Sequence, residues 1–527
     1  MTTLILIIDI LFVIAAVALL LTEVKWDMQM MQQNSYRNER FIKWLKGSSE
    51  YAGVSRLADL AMLVLALSTF MQSWPVKLIL AIAMAVKCTI ALRKKYKKPL
   101  VFTKRVLRLY LTECTVLLAV AALAAVMRQL TFEAGLVALF FATFSYAFSL
   151  AFNWLLKPVE RAINNSFIND AKRILAQMPH MKIVGITGSY GKTSTKHYLY
   201  RILSEKYSVL MTPGSFNTPM GVVRTVREML QPYNDLFIVE MGAKNIGDIK
   251  EICDIVHPQM GIVTAVGEQH LESFKSIENV QRTKFELIDA LPADGFAVLN
   301  DDFPFVANRK VDNVTARRYT VAPKSTSDYH VENITYSAAG TQFTIVGEGR
   351  SIELSTRLVG ECNISNLMAA VIMALHLGVD EQKIKYAVSR IEQVEHRLNV
   401  KRTASGITII DDAFNSNPDG SRMALDVLAG MKGGKRIVIT PGMIELGSKQ
   451  EYFNELFGEH IAETADVAII VGQYNRDAIL KGINEKDMNS ANVHSVTTFA
   501  EAQKLMLSFA QAGDTVLYEN DLPDSFK

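Results

Sequence analysis

Five apolar runs crowd into the start of this chain, at roughly 3–22, 57–73, 76–92, 107–127 and 134–156. Each is near the ~20 residues that a helix rising about 1.5 Å per residue needs to cross the hydrocarbon core of a bilayer. The second and third are short. Trp74 and Pro75 separate them, which predicts a tight hairpin with an interfacial tryptophan at its tip. The first run is too long for a secretory signal peptide, its flanks are acidic and aromatic, and it offers no small-residue cleavage site. Half of the 527 residues are hydrophobic, and nearly all of the excess lies before about residue 156. The remainder reads as mixed globular sequence, and the length predicts two or three domains.

Basic residues orient the runs. Lys25, Arg37, Arg40, Lys43, Lys46 and Arg56 follow the first; Arg93, Lys94, Lys95, Lys97, Lys98, Lys104, Arg105 and Arg108 follow the third. The other two connections hold only Lys77 and Arg128. The positive-inside rule then sets both basic loops and everything after residue 157 in the cytoplasm, with the N-terminus outside. The expected location is a bacterial cytoplasmic membrane, crossed several times. Asp59, Lys87 and Glu113 fall within the runs. Ionisable groups there are costly and often mark function; the plainer reading is that Asp59 and Lys87 pair or snorkel near helix ends. The net charge of +3 excludes little, because the basic residues cluster beside the apolar runs. Cys88, Cys114, Cys253 and Cys362 show no CxxC spacing, which argues against a disulfide scaffold or zinc site.

Beyond an amphipathic stretch, Met181–Ile186 is a short apolar run, and TGSYGKTS follows it from Thr187 to Ser194. A helical pattern continues through Tyr198 and Leu203. Strand, glycine-rich turn, Lys-Thr and helix make a phosphate cradle. Gly188 and Gly191 let backbone N–H groups approach phosphates, with Ser189, Tyr190 and Ser194 in the same loop. Lys192 would neutralise the β- and γ-phosphates and the Thr193 hydroxyl would hold Mg²⁺. The loop is a variant, with Ile186 where the usual first glycine would stand. Two further strand patterns end near Glu240 and His270. In a parallel α/β sheet ligands gather at such ends, where a carboxylate and an imidazole could bind Mg²⁺ directly or through water.

This constellation resembles the Mur ligase family, and within it the branch that adds D-alanyl-D-alanine to UDP-MurNAc-tripeptide. The likeness runs from about Val184 to Gly513. The TGSYGKTS loop resembles the family's ATP loop. The segment Asn217–Gly221 resembles one bordering the substrate, which implies substrate contacts for Asn217 and Thr218. EMGAKNIGDI from Glu240, HLE from His270 and KFEL from Lys284 follow in the family's order. The resemblance implies that CO₂ carbamylates Lys284, which then helps hold the second of two Mg²⁺ ions. It implies nucleotide contacts for Asn300, Asn363, Asn366, Arg397 and Asp412, with Arg397 closing onto the phosphates from a hinge near residue 395. DDAFNSNP, from Asp411 to Pro418, adds Asn415 and Asn417 on the substrate side. PGMIELG from Pro441 matches the same branch.

The implied reaction phosphorylates a carboxylate with ATP and lets an amine attack the acyl phosphate, with Lys192, His270, Lys284 and Arg397 as the catalytic set. A cell-wall precursor carboxylate, soluble or lipid-linked, and an amino-acid or dipeptide amine are the expected partners. The membrane is another, other cell-wall synthesis enzymes remain open, and no nucleic acid is expected. Three departures from the family pattern stand out, the first and last of them bearing on the substrate. The family's UDP-sugar-binding domain is replaced by the apolar runs. Cys362 stands where the family commonly has histidine. An acidic segment, Tyr518–Pro523, replaces a basic one after the last strand. A folylpolyglutamate- or polyglutamate-type ligase, and a membrane ATPase or scaffold without ligase activity, therefore stay open as alternatives. The expected architecture is an α-helical membrane domain (1–158), a linker helix (159–180), an α/β ATP-binding domain of Mur ligase type (181–395) and a smaller α/β C-terminal domain (396–527). Alternation over 313–357 predicts a small antiparallel sheet in the central domain.

Overall fold

The computed structural model describes residues 2–47, 54–68, 73–94, 98–128, 131–214, 216–323, 326–337, 340–413 and 416–522. The chain divides into two compact units that meet in sequence at Asn165 and Ser166.

The first unit is helical: α1 (Thr2–Gln33), α2 (Asn38–Gly47), α3 (Val54–Leu67), α4 (Trp74–Arg93), α5 (Lys104–Arg128), α6 (Thr131–Thr143) and the start of α7 (Ser145–Ala176). Among the described residues three helices, α1, α4 and α5, are long and apolar enough to cross a membrane, with a fourth span if α6 and α7 count as one. Two of the five apolar runs thus differ from expectation. Residues 69–72 of the run 57–73 lie outside the described residues, and α3 (Val54–Leu67) has 14 residues, about 21 Å of helix against the ~30 Å of a bilayer core. The run 134–156 is not one helix, because α6 and α7 bend by 77° at Phe144. Polar partners from elsewhere in the bundle tolerate that break. Arg56 Nη1 donates to the freed carbonyl of Ala142 at 3.2 Å, and the Ser145 hydroxyl donates to Asp27. Beyond the bend α7 runs without interruption past Pro158. The separate linker helix expected at 159–180 is therefore the continuation of this helix, followed by the first strand.

Several ionisable residues of the bundle pair with one another. Lys87 contacts Asp59 and lies 3.0 Å from Glu23, which Arg56 also reaches at 3.1 Å. Glu113 accepts the Ser149 hydroxyl at 2.9 Å. Helices α1 and α6 approach closely at Gly135, where an added Cβ would fall 2.6 Å from the Phe12 ring.

The second unit holds two sheets. The larger has the order β2-β3-β1-β4-β5-β6-β7-β8-β9. Its strands are β1 (Lys182–Thr187), β2 (Val209–Met211), β3 (Leu236–Glu240), β4 (Met260–Val263), β5 (Phe296–Asn300), β6 (Thr315–Tyr319), β7 (Tyr329–Ser337), β8 (Gly340–Gly347) and β9 (Arg350–Thr356). Helices α8 (Lys192–Leu203), α9 (Pro219–Met229), α10 (Asp248–Val256), α11 (Leu271–Phe274), α12 (Ile277–Asp289), α13 (Pro304–Ala307), α14 (Glu361–His376) and α15 (Glu381–Ser389) accompany them. The first six strands are parallel and covered on both sides, so β1 reads as a continuous apolar run. Val184 and Ile186 pack into one core with Leu199 and Leu367, while Ile183 enters the other with Val226 and Phe285. The antiparallel strands expected at 313–357 are β7–β9, but they do not stand apart. Tyr329 pairs with Tyr319 and extends the main sheet.

The smaller sheet has the order β10-β11-β15-β12-β13-β14, from β10 (Asn399–Arg402), β11 (Thr408–Asp412), β12 (Arg436–Thr440), β13 (Val467–Val471), β14 (Val493–Val496) and β15 (Thr515–Glu519). Only β10 runs antiparallel to its neighbour. Helices α16 (Pro418–Ala429), α17 (Gln450–Thr464), α18 (Arg476–Glu485) and α19 (Phe499–Phe509) belong with it.

Candidate active site

Strand β1 lies between β3 and β4, so the chain leaves it toward one side of the sheet and later returns on the other. The carboxyl end of such a strand is where an open α/β sheet leaves a crevice. The turn there admits only glycine at two points. Gly188 (φ 153°) would drive a Cβ to 2.0 Å from Thr264 Oγ1, and Gly191 (φ 79°) to 2.4 Å from Asn366 Oδ1. The loop is stitched to the neighbouring strand end. The Thr264 hydroxyl donates to the Tyr190 carbonyl at 2.5 Å, and Ser189 and Gly267 exchange bonds of 3.0 Å. Thr187 donates to the Met241 carbonyl at 3.0 Å. Lys192 Nζ folds back onto the carbonyls of Gly188 and Ser189 at 2.6 and 3.0 Å, and burial depresses it to about 8. Backbone N–H groups at the start of α8, a half-buried lysine and two obligate glycines make a cradle whose chemistry fits a phosphate chain.

Residues from the C-terminal segment reach the same place. Ser189–Ser194, Arg397 and Asn417 line one cleft. Arg397 is flanked by Leu398, whose N–H donates to Asp412 Oδ1 at 3.1 Å, and both Leu398 (φ 46°) and His396 (φ 58°) hold left-handed backbone. Burial raises the Asp412 carboxyl to about 6 against the pull of Arg397. Asn417 also caps α16, accepting from Gly420 N at 2.9 Å. Asn415 lies outside the described residues.

Glu240 is buried at the end of β3. Lys196 Nζ lies 3.0 Å from its Oε2 as a charge contact, Asn217 Nδ2 donates to Oε1 at 3.0 Å, and Lys196 also donates to the Gly214 carbonyl at 2.7 Å. Burial would raise the Glu240 carboxyl, but Lys196 and Lys192 outweigh it and hold the group below its ordinary value. Thr218 serves as the cap of α9, accepting from Gly221 N at 3.3 Å.

His270, in left-handed backbone after β4, turns Nδ1 to the carboxylate of Glu445, which Lys244 Nζ also holds at 2.9 Å. Burial lowers the imidazole pKa against the pull of Glu445. Lys284 on α12 is buried, and burial together with Lys192 pushes its amine far below its ordinary value. Two residues on, Glu286 accepts the Gly247 and Lys250 N–H groups at 2.7 and 2.9 Å and so caps α10. Among the described residues no three His, Cys, Asp or Glu side chains are gathered to hold a metal unaided. A cation here would need nucleotide oxygens beside Thr193, Glu240 and His270.

Asn300 and Asn363 spend their amides internally. Asn300 bonds the Thr264 carbonyl and Ser365 Oγ, each at 2.9 Å; Asn363 takes the Tyr198 hydroxyl at 2.7 Å and donates to the Val359 carbonyl at 2.8 Å. Asn366 stays beside the loop, 3.2 Å from Thr195 Oγ1. Sequence reasoning missed Lys196, Glu519 and the contact from the Tyr190 hydroxyl to Asp419 at 2.8 Å. Glu519 is the β15 register partner of Asp412, and burial raises it well above an ordinary carboxylate. The spacing GKTSTK puts Lys196 four residues beyond Lys192, on the same helix face, which is the one signal that could have found it.

Residues 186–374 match the Mur ligase middle domain and residues 396–518 the Mur ligase glutamate ligase domain, together more than half of the chain. The UDP-N-acetylmuramoyl-tripeptide–D-alanyl-D-alanine ligase of Bacillus subtilis is 28% identical over 347 residues, covering 64% of this chain and 72% of that one. Its namesake in Mycobacterium tuberculosis is 35% identical over 252 residues, 47% of this chain, and there the match spans about half of the relative, 49%. The structure of MurF from Acinetobacter baumannii is 25% identical, with a TM-score of 0.62 over 68% of this chain and 77% of that one. The chain therefore belongs to the Mur ligase family of ATP-dependent peptide ligases, on the side of the D-alanyl-D-alanine-adding enzymes.

Proposed function

We propose that this protein joins the carboxylate of a cell-wall precursor to an amine, D-alanyl-D-alanine first among the candidates, at the cytoplasmic face of a bacterial membrane that its N-terminal helices enter. The observation that carries the reading is that Arg397 and Asn417, from beyond the hinge, line the same cleft as the Thr187–Ser194 loop. In the reaction the γ-phosphoryl group of ATP passes to a carboxylate oxygen and ADP leaves. The amine nitrogen then attacks the acyl carbon, phosphate departs, and the amine proton goes to solvent.

The side chains supply position and charge. Lys192 and Arg397 converge on the phosphates, where preorganised cations act in a site poor in water. Docking of the C-terminal segment keeps water from the acyl phosphate. Thr193, Glu240 and His270 would hold Mg²⁺, whose chemistry is to offset charge on the phosphoryl oxygens. Lys284 suits carbamylation: its amine is buried, burial lowers its pKa far below the ordinary value, and it has no hydrogen-bonded partner among the described residues, so Nζ can bond the carbon of CO₂ and release a proton. The apolar helices in place of a UDP-sugar domain favour an acceptor presented at the membrane, and a lipid-linked precursor answers that.

The test is ADP release and product mass for the full-length protein in lipid bilayers, with soluble UDP-MurNAc-tripeptide or its lipid-linked counterpart and with D-alanyl-D-alanine, glutamate or other amines. Amide formation that requires the lipid-linked acceptor is the expected result. Product from the soluble acceptor alone would reduce the helices to an anchor. ATP turnover indifferent to carboxylate and amine would remove the ligase reading.

A further inference from the structure

The contact between His270 and Glu445 joins segments 175 residues apart in sequence. Both residues hold left-handed backbone, φ 52° and 64°, and such strain in non-glycine residues persists only where the surroundings impose it. The surroundings here are specific. Lys244 grips both Glu445 oxygens at 2.9 and 3.2 Å, and the Glu272 N–H donates to the Glu445 carbonyl at 3.3 Å. Gly447 passes so near the Glu272 backbone that a Cβ would meet its nitrogen at 3.2 Å. A carboxylate fixed from two sides is thus delivered to one ring nitrogen of His270. The other nitrogen, Nε2, makes no hydrogen bond among the described residues.

We infer that Glu445 is a positioning residue: it accepts the Nδ1–H of His270, fixes the tautomer and presents Nε2 as the lone pair for a divalent cation. Because Glu445 comes from the C-terminal segment, this metal ligand is complete only when that segment is docked, so cation affinity and closure are coupled. A merely structural ion pair would stabilise the same contact without changing metal affinity. Carboxylates behind metal-bound histidines commonly change affinity 10–100-fold when removed. The inference rests on the reading of His270 as a metal ligand.

The experiment counts Mn²⁺ by electron paramagnetic resonance on the full-length protein in lipid nanodiscs with a non-hydrolysable ATP analogue. Wild type is expected to bind two ions, and H270A to lose the weaker. E445A should weaken that same ion about tenfold or more, leaving the first ion and the nucleotide within about twofold. E445Q keeps the size of the side chain and an acceptor oxygen, guards against misfolding, and should weaken that ion by less than E445A does. An unchanged second affinity in E445A overturns the proposal, as does an H270A variant indistinguishable from wild type. Amide product measured on the same preparations tells failure of the ligase reading apart from failure of this one.

Discussion

Replacing Lys196 by methionine isolates the energetics of the buried end of β3. The Lys196 and Glu240 side chains are 0% and 2% exposed, so neither charge has water to fall back on. Removing one partner of such a pair costs about 3–5 kcal/mol, because the survivor keeps its desolvation penalty. Asn217 and the nearby Lys192 still favour the Glu240 anion, which places K196M toward about 3 kcal/mol. E240Q strands the lysine instead, with the Gly214 carbonyl as its remaining partner. The double variant K196M/E240Q removes both charges and should cost no more than K196M alone, a coupling of about 2 kcal/mol or more. At about 2–4 °C per kcal/mol the single change lowers the apparent melting temperature by about 6–12 °C. All four tryptophans, Trp26, Trp44, Trp74 and Trp154, lie in the helical unit, so intrinsic fluorescence reports the wrong part of the molecule. Thermal proteolysis followed by mass spectrometry on peptides from Ser166–Asp521 reads the right one. Additive losses, with coupling below about 0.5 kcal/mol, would refute the buried-pair argument.

Three further outcomes are expected. Lys192, depressed to about 8, is largely neutral in the free protein above that pH, and bound phosphate favours its charged form. Nucleotide binding should therefore take up a proton between about pH 8 and 10.5 and weaken as pH rises through that window, and calorimetry showing flat affinity to pH 9.5 would contradict it. Tyr190→Phe removes the bond to Asp419, which stays partly solvated, so the second unit should lose about 1 kcal/mol; a thermal proteolysis profile identical to wild type would count against the contact. Gly135→Leu wedges α6 away from Phe12 and should cost about 1–3 kcal/mol, read by tryptophan fluorescence melting in detergent, where no change would mean the helices do not pack this closely.

The parts of the site that sequence could reach are those written locally. Strand, glycine turn, lysine and helix are consecutive, and Gly188 and Gly191 stand where the backbone conformation and close neighbours admit nothing else. The strand ends at Glu240 and Val263 follow from short apolar runs bounded by polar residues. What stayed hidden is pairing at long range. Nothing near His270 announces Glu445, and nothing near Tyr190 announces Asp419. The asparagines show the same limit: Asn300 and Asn363 fit a motif, and nothing local in the sequence announces the internal partners their side chains find. In the helical unit, hydropathy counted 134–156 as one span because it weighs side chains and cannot see a backbone break rescued by Arg56.

The smaller sheet carries a consequence for biosynthesis. Its central position, between β11 and β12, belongs to β15, the last of its six strands in chain order. Until that strand emerges, β11 and β12 each present an open edge lined with unpaired backbone groups, and Ile410 and Val438 have no Leu517 to pack with. The sheet cannot be built progressively as the chain is made. It exists as two incomplete halves and then closes in one event, so the interval before closure is when this protein is most exposed to mispairing and most in need of chaperone protection.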